Sequence, residues 1–335
     1  MQKLNGKNNP WFERRPLVAL APMEAITDNA YRTLVRRISS NVILYTEFVP
    51  CKGLLRAGDR VWKIAEFDDS QRPIIVQVYD NDLEAIRDAT SQVAKKLRPE
   101  GIDLNMGCPV RKVVARGAGC GMMADPDNAA DAIKIMVDSS DGIPVSAKMR
   151  LGITNKNEVI EVAQKVVEAG AVQVSIHGRL KAERPRIRAD WDAISAAGSA
   201  ITATVMGNGD IWSVEDANEM AAMEGIDGVM IGRGAIGNPW LLHRTCQALA
   251  GETVDPPPDK KERIRIALEH LELNVIDKGE RRGVLEMRKV IRNYIKGYHD
   301  SRRTWMKIIT VVTHSETANI LEDFAENGDD MPLHE

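Results

Sequence analysis

Short apolar runs alternate with helix-like stretches along most of this chain. The runs are rich in β-branched residues, and each is too short for a core helix and too continuous for a strand with one wet face. This pattern is typical of buried parallel strands. Eight runs are predicted as strands, at residues 17–23, 41–48, 73–79, 102–107, 143–150, 172–178, 202–209 and 225–234.

The stretches between these runs predict helices, because they open with Asp, Asn or Ser, the residues that cap helix N-termini. Five are assigned, at residues 28–38, 81–97, 125–139, 157–170 and 213–225. Residues 51–72 are the least regular part and are expected to be partly loop. Strands that alternate with helices over about 230 residues favour an α/β fold, a (β/α)8 TIM barrel, over an open sheet.

The alternation ends at residues 251–258, where three consecutive prolines forbid a continuing helix. Beyond them the apolar period is helical. In residues 284–298 this period places six apolar residues on one helix face. They are Val284, Met287, Ile291, Tyr294, Ile295 and Tyr298. We therefore predict a barrel domain over residues 1–250, followed by a small all-helical domain over residues 259–335.

Composition narrows the class of protein. The 335 residues are 44% apolar and 28% charged, which excludes a disordered or fibrous chain. The 45 basic and 48 acidic residues give a net charge of −3, so nucleic-acid binding would need local patches. The sequence shows neither a membrane span nor a secretory signal, and its four cysteines form no CxxC pair. We expect a cytoplasmic protein with no metal site and no membrane contact.

Glycines and one arginine follow the last two predicted strands. In a barrel of this kind, active-site residues lie at the carboxyl ends of the strands. Gly209 and Gly232 would let backbone N–H groups approach a phosphate, and Arg233 could add a bidentate contact. The alternative is that these glycines only make tight turns. The pairing of the two strand ends favours a phosphate site.

Lys148 lies on an otherwise apolar predicted strand. A lysine is almost never buried without a partner, so this one implies an anionic or strongly accepting ligand. The alternative is an internal ion pair with Glu24, Glu47 or Asp103. His177, at the next strand end, is either a ligand contact or a hydrogen-bonded structural histidine.

Cys108 stands between a strand end and a proline, which places it at the mouth of the predicted barrel. A free thiol has a pKa near 8.5 and is mostly protonated at neutral pH, so Cys108 could donate a proton. The alternative is a small buried apolar residue. Cys120, twelve residues further on, is the rival for the same role.

Basic residues are concentrated near the carboxyl end. Residues 278–307 hold ten Lys or Arg against three acidic residues. Arg288, Arg292 and Lys296 lie four apart, so they form one stripe opposite the apolar face of their helix. We call this set the basic stripe. It is either an RNA contact or ordinary solvated surface.

Together these segments resemble the tRNA-dihydrouridine synthase family. The matching pieces are APMEAITDNAYRTL, TEF, VQV, DLNMGCPVRKV, AKMRLG, IHGR, MGNGDI and GVMIGRGAIGNPW. They span most of residues 17–241 in the family's order, and the basic helical tail matches the family's second domain. The carboxyl-terminal helices look most like the bacterial B type. Two departures are Glu24, where many members have a small residue, and the GAGCGMMA stretch that contains Cys120.

The resemblance implies an FMN-containing barrel that reduces the C5–C6 double bond of a uridine in tRNA, with NADPH as the expected reductant and Cys108 as the general acid. We expect the enzyme to be a monomer. The residues that the family pattern assigns to FMN are Pro22, Met23, Glu24, Gln77, Lys148, His177, Asn208, Gly209, Asp210, Gly232 and Arg233. Those that it assigns to the RNA substrate are Asn105, Arg179, Lys181, Arg288, Arg292 and Lys296.

Two other functions remain open from the sequence. One is an FMN barrel that acts on a free pyrimidine, which would not need a basic carboxyl-terminal domain. The other is an RNA-binding scaffold without catalysis, which would bind tRNA but lack the flavin spectrum.

Overall fold

A parallel β-barrel surrounded by helices forms the larger part of the computed structural model, which describes residues 16–56 and 58–327. The strands are β1 Leu17–Leu20, β2 Leu44–Tyr45, β3 Val49–Pro50, β4 Ile74–Tyr79, β5 Gly101–Met106, β6 Val145–Gly152, β7 Gln173–Leu180, β8 Thr204–Asn208 and β9 Gly228–Ile231.

The strands follow the order β1-β9-β8-β7-β6-β5-β4-β2, and every pairing is parallel. A bridge between Ala19 and Ile43 closes the ring. The second predicted strand is split into β2 and β3, which both pair with β4. Because these two halves form one barrel position, the eight-stranded α/β barrel is confirmed.

Ten helices are described in the barrel part of the chain. They are α1 Asn29–Ile38, α2 Cys51–Arg56, α3 Asp59–Ala65, α4 Leu83–Lys96, α5 Arg111–Val114, α6 Pro126–Ser139, α7 Glu158–Glu168, α8 Trp191–Ser199, α9 Val214–Ala221 and α10 Trp240–Leu249. Residues 51–72 are more helical than expected, since they form α2, α3 and a short 3-10 helix. Leu54, Trp62 and Ala65 are buried there, so packing stabilises these short helices.

Most of the predicted helix starts are capped as the sequence indicates. Asp28, Asp82, Asp125 and Ser213 each accept a hydrogen bond from a backbone N–H in the first turn of α1, α4, α6 and α9. Asn157 precedes α7 but makes no such bond. These caps set the points at which the chain leaves the loops above the barrel and enters the outer layer.

Two apolar clusters hold the barrel. The larger one lies between the strands and the helices. The smaller one lies inside the barrel and contains Leu17, Ala19, Ala21, Ile43, Tyr45, Ile75, Met206 and Met230. Asp103, Ser146 and Ser175 are also fully or almost fully buried and lie on strands that contribute to this interior. The interior is therefore partly polar.

The carboxyl-terminal part is all helical, as predicted. Its helices are α11 Lys260–Lys278, α12 Glu280–Tyr294, α13 Ser301–Ile308 and α14 His314–Glu326. The six residues of the predicted apolar face are all buried, although α12 ends at Tyr294, before Ile295 and Tyr298. On α11, Lys278 forms ion pairs with Asp28 of the barrel and with Glu286.

Residues 252–259 form neither helix nor strand, which agrees with the Pro-rich break in the sequence. The division into domains at 1–250 and 259–335 stays a prediction, and its outer ends, residues 1–15 and 328–335, lie outside the described residues. Within the described ranges, no helix is long and apolar enough to cross a membrane. The same ranges contain no group of three or more His, Cys, Asp or Glu that could hold a metal ion.

Candidate active site

A cavity of about 370 Å³ opens at the carboxyl ends of the strands. Thirteen of the residues predicted for the site line it. They are Pro22, Met23, Glu24, Asn105, Cys108, Lys148, His177, Arg179, Asn208, Gly209, Asp210, Gly232 and Arg233. Gln77, Lys181 and the basic stripe are not in its wall. The barrel thus brings together residues that are up to 211 positions apart in the chain, from Pro22 to Arg233.

Cys108 is held in the wall by the turn that follows β5. The side-chain oxygen of Asn105 accepts hydrogen bonds from the backbone N–H groups of Gly107, at 3.0 Å, and Cys108, at 2.9 Å. The cysteine is 8% exposed, and burial raises the pKa of its thiol above the ordinary value. Cys108 is therefore a neutral thiol at pH 7 that faces the cavity.

Cys120 lies in a different environment. It is fully buried, it is not in the cavity wall, and burial raises its pKa to about 11. Its backbone N–H donates to the carbonyl of Cys108, so it supports the same turn from behind. This placement favours Cys108 over Cys120 as the residue that could reach a ligand.

Lys148 projects from β6 into the cavity. Its ammonium donates to the side-chain oxygen of Asn208 at 3.1 Å. In the described part of the chain it has no carboxylate within ion-pair distance, so none of the three internal ion pairs considered from the sequence forms. Burial, together with the charge of Arg150, lowers the pKa of Lys148 to about 8. A half-buried ammonium with no carboxylate at ion-pair distance in the described chain is a site for a negatively charged or electron-rich ligand.

His177 is surrounded by cations. Burial first, and then the charges of Lys148, Arg150, Arg179 and Arg233, hold the pKa of His177 well below its ordinary value. Its Nε2 lies 3.1 Å from the guanidinium of Arg179. The ring is therefore neutral at pH 7, and its Nε2 accepts the proton of that contact.

Asp210 joins two arginines at the rim of the cavity. Its carboxylate pairs with Arg179 and, at 2.7 Å, with Arg233, and it also accepts the N–H of Ala189. Arg179 is 1% exposed and donates further to the carbonyls of the loop that follows β7, at residues 185 and 187. The guanidinium of Arg179 thus holds that loop, and its contact with RNA stays a prediction.

The two glycines of the predicted phosphate site differ. A Cβ on Gly209 would lie 2.8 Å from the Cβ of Ala189, and the φ of 124° favours glycine. Packing therefore explains Gly209. A Cβ on Gly232 would meet nothing closer than 3.6 Å, so no neighbouring atom requires a glycine there. Gly232 begins the rim segment that carries Arg233, and its small size leaves that rim open.

Two hydrogen bonds from backbone N–H groups to side chains help to fix the first loop. The backbone N–H of Met23 donates to the hydroxyl of Thr27 at 2.9 Å, and the N–H of Ala25 donates to the carboxylate of Glu47. These bonds hold Pro22, Met23 and the exposed Glu24 along the cavity.

Gln77 is the predicted cofactor contact that the structure places elsewhere. It is fully buried, and its amide bonds to Asp103 at 2.7 Å and to Asn105 at 2.9 Å. Gln77 therefore lies behind the cavity wall and not in it. Its direct contact with a cofactor stays a prediction.

Eleven residues of the wall were given no role in the site from the sequence, and Phe48, Arg150 and Trp212 are among them. Phe48 follows β2, Arg150 is the next inward-facing residue after Lys148 on β6, and Trp212 follows the NGD segment. Arg150 donates to the carbonyls of Gly107 and Leu180. The strand-end position of Arg150 was a usable signal, whereas the position of Trp212 was not, because its loop has no regular pattern.

The predicted RNA residues outside the cavity are on the surface. Lys181 is partly exposed, and Arg292 and Lys296 are exposed. Arg288 is partly buried and donates to the carbonyl of Val311 at 2.7 Å, which ties α12 to the loop before α14. The basic stripe is thus two exposed cations and one that also serves the packing of the helices.

Comparisons with a family model and with known proteins point to the same family. The family model described as "Dihydrouridine synthase" matches residues 19–328. A "Probable tRNA-dihydrouridine synthase" of Aquifex aeolicus is 33% identical over 318 residues, which cover 94% of this chain and 97% of the relative. A "Probable tRNA-dihydrouridine synthase 1" of Synechocystis is 32% identical over 332 residues, which cover 95% and 92%.

Solved structures of low sequence identity share the fold. A crystal structure of TcOYE with pHBA has a TM-score of 0.52 and 11% identity, and the match covers 75% of this chain and 95% of the other. A morphinone reductase variant in complex with tetrahydroNAD has a TM-score of 0.50 and 10% identity, with 72% and 88% covered. At this identity the likeness shows the barrel fold alone.

Proposed function

This chain belongs to the dihydrouridine synthase family, and from this premise we propose that it reduces the C5–C6 double bond of uridines in tRNA with FMN as cofactor and NADPH as reductant. The single observation that carries the proposal is the cavity wall. It holds a neutral thiol, Cys108, together with an ammonium, Lys148, that has no carboxylate partner in the described chain. The assignment to the bacterial B type stays a prediction.

The residues of the cavity fit FMN. Lys148 supplies a positive charge that no carboxylate of the described chain pairs directly, which suits an electron-rich ring, and Arg233 with the open rim at Gly232 suits a phosphate. Pro22 and Met23 would line the ring from the first loop. When bound, reduced FMN supplies the hydride that is added to C6 of the uracil.

Lys148 would stabilise negative charge within the cavity. Its electrostatic effect is larger than that of a surface charge because the ammonium is half-buried and water screens it less. The hydrogen bond to Asn208 at 3.1 Å fixes the ammonium in place. The pKa of about 8 leaves Lys148 mostly protonated at pH 7, so the charge is available.

Cys108 would deliver the proton that completes the reduction at C5. Hydride addition at C6 leaves enolate-like charge on the pyrimidine, and the thiol proton neutralises it. Burial keeps that proton on sulfur at neutral pH. Asn105 holds the turn in which Cys108 lies, so the thiol is positioned before the substrate arrives.

The tRNA would contact the surface around the cavity. A uridine in a folded RNA must leave its stack before it can enter a pocket of this kind. Lys181, Arg292 and Lys296 are exposed, or partly exposed, cations that could bind the phosphates. We propose that the enzyme acts in the cytoplasm, where tRNA is found, and that it acts as a monomer.

The test uses the purified full chain. We expect a yellow flavin spectrum, release of FMN on denaturation, and NADPH-dependent formation of dihydrouridine in tRNA taken from cells that lack this protein, measured by mass spectrometry. Reduction of free uracil without tRNA would instead identify an enzyme of free pyrimidines. Binding of tRNA by a protein that carries and takes up no flavin would identify an RNA-binding scaffold. Either of these results would overturn the proposal.

A further inference from the structure

A chain of hydrogen bonds runs through the barrel interior from Ser146 to the cavity wall. The hydroxyl of Ser146 donates to Asp103 at 2.6 Å, and the amide nitrogen of Gln77 donates to the other carboxylate oxygen at 2.7 Å. The amide nitrogen of Asn105 donates to the oxygen of Gln77 at 2.9 Å. The oxygen of Asn105 then accepts the backbone N–H of Cys108.

The direction of this chain is set at both of its ends. A carboxylate can only accept, so Asp103 obliges Gln77 to present its NH2 group and to turn its oxygen towards Asn105. A backbone N–H can only donate, so Cys108 obliges Asn105 to present its oxygen and to turn its NH2 group towards Gln77. Each side-chain amide has two orientations, and only one of them satisfies both neighbours.

Strand register explains how these residues meet. Gln77 on β4 is the partner of Asp103 on β5, and Asp103 is the partner of Ser146 on β6. Asn105 lies two residues after Asp103 and therefore points to the same face of β5. Asp103 and Gln77 are fully buried, and neither lines the cavity.

We propose that Asp103 is a positioning residue, whose carboxylate orients the amides of Gln77 and Asn105 and thereby holds the turn that carries Cys108. Asp103 does not line the cavity, so it acts on Cys108 only through these two side chains, while its charge also acts on the ammonium of Lys148. The inference rests on the proposed function, because it assigns a purpose to the position of the thiol.

The burial of Asp103 supports this role. Burial raises the pKa of Asp103 to about 6, while hydrogen bonds from Ser146 and Gln77 and the charge of Lys148 act in the opposite direction. At pH 7 and above the group is therefore mostly a carboxylate and can only accept. A leucine has nearly the same shape but could accept neither of these two hydrogen bonds.

The decisive variant is Asp103→Leu, which removes the acceptor and keeps the shape. It leaves the NH2 group of Gln77 unpaired, so the amides lose their fixed orientation. We expect kcat for tRNA reduction to fall about tenfold, with KM for tRNA within about twofold, because a displaced acid affects the reaction more than binding. In flavin-free protein, we expect the rate of alkylation of Cys108 by iodoacetamide to change about threefold or more, measured by peptide mass spectrometry with Cys120 as reference.

Ser146→Ala is the matched control. It removes a hydrogen bond to the same buried carboxylate but leaves the bonds from Gln77 to Cys108 intact. We expect it to lower the stability of the protein, yet to change kcat and the alkylation rate by less than about twofold.

A conservative variant separates hydrogen-bond direction from charge. Asp103→Asn keeps an oxygen for Gln77, and the hydroxyl of Ser146 can rotate to accept from the new NH2 group. We therefore expect kcat within about threefold of wild type. If Asp103→Leu does not fold, Gln77→Met cuts the chain one bond further on and carries the same expectation for alkylation.

Three results would overturn the inference. They are an Asp103→Leu variant with wild-type kcat, an alkylation rate of Cys108 that does not change, and a loss in Asp103→Asn as large as in Asp103→Leu. An inactive wild-type enzyme would be a failure of the proposed function instead. The alkylation measurements would still test whether Asp103 positions the thiol.

Discussion

The cavity and the exposed face of α12 both carry cations, but they hold them in different ways. In the cavity, Lys148 is fixed by an amide oxygen and Arg150 by two backbone carbonyls. On and just after α12, Arg292 and Lys296 are exposed, and no carboxylate of the described ranges lies within ion-pair distance of either. The first pair is ordered before any ligand binds, whereas the second is surrounded by water.

This difference teaches what size of effect to expect from each region. A charge in a buried site interacts strongly with a ligand because little water screens it. Exposed charges are screened by salt, and each contributes little. Changes in the cavity should therefore alter the reaction by orders of magnitude, and changes on α12 should alter tRNA affinity by small, salt-dependent factors.

The largest effect is expected for Cys108→Ala. Loss of the acid should lower the single-turnover rate of uridine reduction about 10²- to 10⁴-fold, while FMN stays bound. Cys120→Ala is the control, since Cys120 is buried outside the cavity wall, and its rate should stay close to wild type. The opposite ranking of the two variants would move the acid role to Cys120.

Lys148→Met should weaken FMN binding about tenfold or more, because it removes the charged group of the cavity. It should also stabilise the flavin-free protein. Burial lowers the pKa of Lys148 to about 8, so between pH 8 and 10 the unfolded chain binds more protons than the folded one. Wild-type stability should therefore rise with pH over that range.

The Lys148→Met variant should lose the part of this rise in stability that comes from Lys148. Thermal unfolding at several pH values would measure the loss. The exposed Lys134→Met is the control and should change neither FMN affinity nor the pH dependence. A Lys148→Met protein that binds FMN as tightly as wild type would show that the buried charge does not hold the cofactor.

The pH dependence of the wild-type reaction tests the state of the thiol. Burial raises the pKa of Cys108, and the acid must be protonated to act. The single-turnover rate should therefore be flat near neutral pH and fall by up to about tenfold per unit once the pH exceeds the raised pKa of the thiol. A rate that instead rises through this range would identify the thiolate as the active form.

The smallest effect is expected on α12. The double variant Arg292→Ala and Lys296→Ala should weaken tRNA binding several-fold at low salt, and should reduce the slope of log Kd against log salt by about one for each lost phosphate contact. Kd titrations at several salt concentrations would measure both. An unchanged slope would show that Arg292 and Lys296 bind no phosphate and are ordinary solvated surface.

Arg288→Ala sharpens the contrast within the basic stripe. Because Arg288 donates to the carbonyl of Val311, its loss should cost about 1 kcal/mol of stability, in addition to any loss of affinity. Denaturant unfolding of Arg288→Ala beside Arg292→Ala would measure the difference. Equal stability of the two variants would show that the contact with Val311 contributes nothing.

The sequence alone predicted the barrel because its strands are buried on both sides and therefore read as continuous apolar runs. It also predicted most of the cavity, since residues at the carboxyl ends of parallel strands must share one edge. Cys108, Lys148 and Asn208 were found in this way. The polar caps of the helices were equally local signals.

Only the tertiary structure decided how the polar residues pair. Three features depend on which residues of neighbouring strands lie side by side. Gln77 lies behind the cavity wall, Arg179 pairs with Asp210, and Asp103 begins the hydrogen bonds that lead to Cys108. A local pattern states that a residue is inside or outside. It does not state the register between strands far apart in the chain, and hydrogen bonds between side chains form only when that register brings donor and acceptor within about 3 Å.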